Sequence, residues 1–338
     1  MPSCLLALLW CSGCAVSSRE GAALRRFEYT QPQMGLPFRI VLYAPDEAMA
    51  NAASDAAFAR IRRLNDLLSD YDADSELSRL SRTSGQGRAV KLSDDLWNVL
   101  AASQALSERT DGAFDVTVGP IANLWRKARR EKKPPSPELL AQARAAVGWE
   151  KLRLDPRART ATLLVPEMRL DLGGIAKGYA IDEAQKVLRA LGITRALVSG
   201  GGDVLASDAP PAKAGWRVEV APLDASNAPP ARFVLLRHRA LATSGDLFQH
   251  IELDGVRYSH IVDPKTGVGL TDHSLVTIIA GDCTTADSLA TAVSVLGPEK
   301  GVALIESSPG AAVFLVRHPG ASVEARESSG FRQHVIKP

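Results

Sequence analysis

Apolar and polar positions alternate from Phe38 to Tyr43 in a stretch rich in β-formers, which predicts a strand, and the period then changes. From Asp46 to Leu68, residues Ala52, Ala56, Ala59, Ile61, Leu64, Leu67 and Leu68 recur at helical spacing, with Arg60, Arg62 and Arg63 on the other faces. A second helix is expected over Asp94 to Thr110, capped by Ser93 and closed by Asp111-Gly112, and a third over Ile121 to Lys132. The basic run Arg126 to Lys133, stopped by Pro134-Pro135-Ser136-Pro137, reads as a solvated helix face and loop.

Trp149 to Leu154 and Thr160 to Val165 form a hairpin pattern around Asp155-Pro156, and Pro166 to Leu170 reads as a strand. A helix over Ala176 to Leu191 ends at Gly192, and the short strand Ala196 to Ser199 runs into Gly200-Gly201-Gly202-Asp203. The following segments are mostly β: Trp216 to Ala221, Arg232 to Leu236, Ala240 to Ser244, Gln249 to Leu253, Ser259 to Val262 and Ser274 to Ala280. A helix over Thr285 to Leu296, closed by Gly297-Pro298, precedes a βαβ-like tail. Long helices with a large mixed or antiparallel sheet give an α+β class rather than a doubly wound fold.

With 338 residues, 46% of them hydrophobic, the chain can bury a sizeable core. Forty basic residues against 38 acidic give a formal charge of +2, so nucleic acid is not an expected partner. The N-terminus differs from the rest. Leu5 to Trp10 are apolar and lead to Cys11-Ser12-Gly13-Cys14, which looks like a bacterial lipoprotein signal lipidated at Cys14, with the polar Ser17 to Gly21 as a tether. Residues 1–24 are thus expected to be signal and tether. Residues 25–338 are expected to form a single domain of two intimately packed subdomains, on the periplasmic side of the inner membrane in the bacterial cell envelope.

Candidate chemistry begins at Asp171-Leu172-Gly173-Gly174-Ile175-Ala176-Lys177, where paired glycines, a helix start and an ammonium suit a phosphate group. The same pattern also occurs in α/β proteins with nothing bound. Asp287 and Thr291 lie four apart on one helix face and offer hard oxygen ligands of the kind Mg²⁺ takes, or else serve the helix itself. His260, with Asp263 close by at a strand end, is either a general base or hydroxyl positioner, or a structural histidine. Tyr71, in the acidic loop Leu68 to Leu77, can stack on a planar heterocycle or half-bury itself. Gly112 to Pro120 is a cofactor-edge loop or an ordinary connection.

Taken in order, Met34-Gly35, Ser69 to Leu80, Gly112 to Trp125, Asp171 to Asp182, Ser199 to Asp203, Ala242 to Asp246, His260 to Gly267 and Asp287 to Thr291 resemble the FAD:protein FMN transferase family. The resemblance implies a T-fold-like architecture and transfer of FMN from FAD onto a Ser or Thr hydroxyl of a target protein, with release of AMP. It also implies Mg²⁺ held by Gly174, Asp287 and Thr291. Met34, Tyr71, Ala113, Phe114, Asp115, Asp171, Lys177 and Ile261 would then contact FAD, and His260 would position or deprotonate the incoming hydroxyl. The implied acceptor is a respiratory or redox protein with a short Ser/Thr motif. The chain departs from the family pattern at Leu36-Pro37, Ser81 and Leu247-Phe248-Gln249, which leaves flavin affinity and acceptor preference open. A Mg²⁺-dependent FAD pyrophosphatase and a non-catalytic flavin-binding lipoprotein are the rival readings.

Overall fold

Eight strands form the central sheet, and their spatial order is their chain order: Arg25–Gln33, Leu36–Ala44, Ala196–Gly200, Asp203–Ala206, Arg239–Gly245, His273–Ala280, Ala312–His318 and Glu324–Glu327. Every neighbouring pair is antiparallel. The structure is a computed structural model that describes residues 23–225, 227–246, 249–320 and 322–337. The lipoprotein signal expected within residues 1–24 lies outside these.

Both faces of the inner sheet are covered, which is why strands such as His273–Ala280 and Ala312–His318 are largely apolar, while the edge strands Arg25–Gln33 and Glu324–Glu327 keep polar residues. Ile40, Leu42, Val276, Ile278, Val313 and Leu315 join one core with the helices Glu47–Leu68, Ala176–Ala190 and Cys283–Glu306. Val41, Leu275, Ile279, Phe314 and Val316 point the other way, onto a small sheet of Trp216–Val220, Arg232–Leu236 and Val335–Ile336. One strand residue so buried contributes about 1.5–3 kcal/mol, and a shift of register by one would exchange the two cores.

Caps set the helix starts. The Asp46 carboxylate accepts from Met49 N at 2.8 Å and the Ser93 hydroxyl from Leu96 N at 3.2 Å. The helix Cys283–Glu306 has two caps: Asp282 accepts from Thr285 N, and Asp182, on the neighbouring helix, accepts from Cys283 N and Thr284 N, each at 2.8 Å. Gly178 lets those helices touch, since a Cβ there would lie 2.2 Å from the Cys283 carbonyl oxygen.

Several expected elements differ. Pro166 to Leu170 makes only an isolated bridge, Arg169 to Val118, because Pro166-Glu167 forms a turn. The expected strand Ser259 to Val262 is Val256–Ser259 instead, hairpinned to His250–Leu253, and the chain turns at His260. Gly297, at φ 74° and ψ −178°, leaves the helical region and ends the first helix as expected, and Pro298 opens a second that runs to Glu306; beyond it the tail holds antiparallel strands rather than a βαβ unit. The Pro134 to Pro137 segment follows the end of the helix Gly119–Glu131 as expected, but Ser136-Pro137 also opens another, Pro137–Ala145, because proline at the first turn needs no N–H partner.

Candidate active site

The sheet ends and helix starts meet at Lys177. Its Nζ donates to both Asp287 oxygens, at 2.9 and 3.0 Å, and lies 3.1 Å from Asp203 Oδ2. Gly178 N adds a bond to Asp287 at 3.1 Å. The two carboxylates are almost fully buried, at 2% and 3% side-chain exposure. Burial disfavours the Lys177 ammonium, but Asp203 and Asp287 outweigh that and raise its pKa above the ordinary lysine value. Burial, together with the Asp287 charge, pushes Asp203 up to about 7.

Two carboxylates face one ammonium, and Asp203 Oδ2, although 3.1 Å from Nζ, is left without a well-formed hydrogen bond. That imbalance fits a further cation. Gly174 and Thr291 are adjacent: a Cβ on Gly174 would come within 2.8 Å of Thr291 Oγ1, so only glycine keeps that space open. Thr291 Oγ1 itself has one distant neighbour, Ser244 Oγ at 3.4 Å. Among the described residues no group of three His, Cys, Asp or Glu is arranged to hold an ion. The donor set that does converge, the Asp287 carboxylate, the Thr291 hydroxyl and the Gly174 backbone, is the hard oxygen type that suits Mg²⁺ with phosphate and water completing its shell.

Met34 sits at φ 51° and Gly35 at φ 74° in the two-residue turn between the first two strands. That turn approaches the cluster through Leu36, because a Cβ on Gly201 would meet Leu36 Cδ1 at 2.7 Å and Lys177 Cδ at 3.2 Å. Asp171 lies beside the cradle, its Oδ1 accepting from Gly173 N at 2.8 Å and its own N–H donating to Val116 O at 2.8 Å. The latter bond fastens the Ala113–Asp115 loop to the site. Ala113 and Phe114 are buried side chains, so what they can offer a ligand is backbone. Asp115 accepts from Thr117 N at 2.8 Å and Thr117 Oγ1 at 2.7 Å, and burial pushes its pKa up to about 6. It borders a cleft of about 480 Å³ whose far wall is Pro264 and Lys265.

His260 is exposed, and its Nδ1 lies 3.0 Å from the Gln249 carbonyl oxygen. A carbonyl only accepts, so Nδ1 carries the hydrogen and Nε2 keeps its lone pair. Crowding by the surrounding protein lowers the imidazole pKa, with Arg129 and Lys177 adding to the effect and Asp171 opposing it. Ile261, next in the chain, is buried. Asp263 corrects an expectation. Its Oδ1 caps a turn by accepting from Lys265 N at 2.8 Å, and no hydrogen bond joins it to His260 among the described residues. The residue that holds this region is Asp246, buried, which pairs with Arg257, with His273 Nδ1 at 2.7 Å and with Ser274 N at 3.1 Å. It anchors the hairpin His250–Ser259 from which His260 emerges.

Arg126 corrects another expectation, because it faces inward rather than lying on a solvated face. Its Nη2 donates to Asp171 Oδ2 at 2.7 Å, it pairs with Asp70, and its Cζ lies 4.5 Å from the centre of the Tyr71 ring. Arg129, one turn on, makes no ion pair among the described residues, and burial beside Arg126 lowers its pKa. The charge of Asp70 and Asp171 was the available signal for such a partner, but local pattern does not single out which of the six cations between Arg126 and Lys133 supplies it.

A glycine turn, a half-buried lysine, a carboxylate–hydroxyl pair and a histidine whose Nε2 keeps its lone pair, carried on an α+β frame, suit group transfer at phosphorus. Comparison with known proteins takes that class to a family. The ApbE family model matches residues 34–315. Curated relatives called FAD:protein FMN transferase include that of Haemophilus influenzae, 33% identical over 281 residues covering 81% of each chain, and that of Vibrio cholerae, 33% identical over 335 residues covering 96% of each. Among solved structures, the apo form of the Pseudomonas stutzeri flavinyl transferase ApbE superposes with a TM-score of 0.81 at 32% identity, over 92% of this chain and 97% of that one. The flavin transferase ApbE of Vibrio cholerae gives 0.81 at 30%, over 92% and 100%. The chain belongs to the ApbE family.

Proposed function

We propose that this chain moves the FMN part of FAD onto a Ser or Thr hydroxyl of another protein and releases AMP, with Mg²⁺ as the metal. The observation that carries the reading is the convergence of Lys177, the Gly173-Gly174 turn and the Asp287–Thr291 helix face. The acceptor oxygen attacks the phosphorus on the FMN side of the diphosphate. Its proton passes to His260 Nε2, the new P–O bond forms, and the bond to the AMP phosphate breaks, with AMP taking the electron pair. Lys177 and the N–H groups of the turn face the negative charge that develops. Asp287, Thr291 and the Gly174 carbonyl would hold Mg²⁺, which when bound supplies Lewis-acid neutralisation of the phosphoryl oxygens. Tyr71, Met34, Asp171, Ile261 and the backbone of Ala113–Asp115 would hold the dinucleotide.

The apolar Leu5 to Trp10 and the Cys11-to-Cys14 segment support lipidation at Cys14, with the domain tethered on the periplasmic side of the inner membrane near a respiratory or redox acceptor that carries a Ser/Thr motif. Protein, FAD and acceptor incubated with and without a chelator test the metal. Labelled acceptor is expected only where a divalent ion is present. Transfer undiminished by the chelator removes the ion from the reading, and AMP without labelled acceptor replaces transfer with hydrolysis.

A further inference from the structure

We propose that Arg126 is a positioning residue that braces the aromatic platform of the cleft to its phosphate cradle, so that Tyr71 and Asp171 are presented to FAD as one unit. The proposal rests on the reading of the cleft as a FAD site. Arg126 lies on the helix Gly119–Glu131, whose setting is fixed by the buried Trp125 donating to the Gly267 carbonyl at 2.8 Å. Its side chain is 18% exposed and touches residues from two distant segments, Asp70-Tyr71 and Asp171. Nη1 pairs with Asp70 and reaches Asn123 Oδ1 at 3.2 Å, Nη2 donates to Asp171 at 2.7 Å, and the flat cation lies against one face of Tyr71. Tyr71 is 77% exposed, so the rest of its ring is open to a planar ligand. The other oxygen of Asp171 accepts from Gly173 N, so the brace continues into the cradle. Without Arg126 the carboxylates of Asp70 and Asp171 repel; the Asp171 charge already adds to burial in raising the Asp70 pKa. A lysine has the charge but not the planar fork that can span two carboxylates and lie on a ring.

The test is FAD affinity, read by flavin fluorescence, with inorganic pyrophosphate as a probe of the cradle alone. Arg126→Met is expected to weaken FAD about tenfold, as loss of a stacked, bidentate guanidinium does, and to weaken pyrophosphate less. Arg126→Lys is expected not to restore FAD affinity, and Tyr71→Ala is expected to add little in the Arg126→Met background, because the two act as one unit. Should Arg126→Met fail to fold, Asp70→Asn loosens the same guanidinium and is expected to weaken FAD in the same direction. Wild-type affinity in Arg126→Lys, or full additivity with Tyr71→Ala, overturns the brace while the FAD site stands. A wild-type protein that binds no FAD overturns the site and the brace with it.

Discussion

The Lys177 cluster and the Tyr71 platform are linked through Asp171 and the Gly173 turn, yet they are built in opposite ways. Asp203 and Asp287 are buried at 2% and 3% exposure and come from a sheet strand and a core helix, while Tyr71 stands 77% exposed on a loop. A cluster fixed by the core has its charges in place before substrate arrives and suits the stabilisation of a transition state. A loop residue held by one guanidinium suits recognition, where small adjustments cost little. The inner cluster is therefore assigned to the chemical step and the rim to binding.

The largest expected break in this division is Asp287→Asn. Loss of one preorganised charge group costs on the order of 10²–10³ in rate, and the metal ligand goes with it, so transfer read by acceptor mass is expected to fall by at least about 10³-fold. His260→Ala comes next, slowing transfer by about 10²–10⁴-fold as removal of a general base does, with FAD affinity retained. The sign of its pH dependence follows from the lowered imidazole pKa. The neutral base dominates above the ordinary value of 6.5, so the wild-type rate holds there and falls on the acid side as the imidazolium forms. His260→Ala is expected to lack that acid limb.

Two glycines sharpen the comparison from the packing side. Gly178→Ala sets a Cβ 2.2 Å from a backbone carbonyl, and such overpacking costs about 1–3 kcal/mol or more, read as a lower melting temperature. Gly174→Ala presses on the Thr291 side chain alone, on Oγ1 at 2.8 Å and on Cγ2 and Cβ at 3.2 and 3.3 Å, so the fold is expected to stay while the metal requirement rises about tenfold, since crowding a ligand oxygen weakens a geometrically demanding Mg²⁺ site. The last effect, on stability alone, belongs to Asp115. Its pKa rises from 3.8 unfolded to about 6 folded, so the native state holds the proton more tightly and stability falls as pH rises from about 4 to about 6. At roughly 1.4 kcal/mol per unit this amounts to about 2–3 kcal/mol, and Asp115→Asn is expected to flatten that part of a melting-temperature profile.

The sequence made the cluster legible where local pattern and chemistry coincide. Asp287 and Thr291 four apart, and Gly173-Gly174 before a helix, are short-range signals that the fold places together. Antiparallel pairing throughout was not legible, because strands buried on both faces lose the alternation that distinguishes them. Arg126 was hidden in a basic run, as its partners Asp70 and Asp171 are 56 and 45 residues away. Asp263 is close to His260 in sequence, but the hydrogen bond its carboxylate makes is within the Lys265 turn, a partner that sequence nearness does not reveal. Ser136-Pro137 was ambiguous locally, since the same residues end one helix and begin the next.

The most direct measurement is single-turnover transfer at saturating FAD for Tyr71→Ala and Asp287→Asn side by side. Recovery of a near wild-type rate by Tyr71→Ala, while Asp287→Asn stays slow at every FAD concentration, is the predicted result. A Tyr71→Ala protein as slow at saturation as Asp287→Asn would contradict the division of labour between rim and cluster.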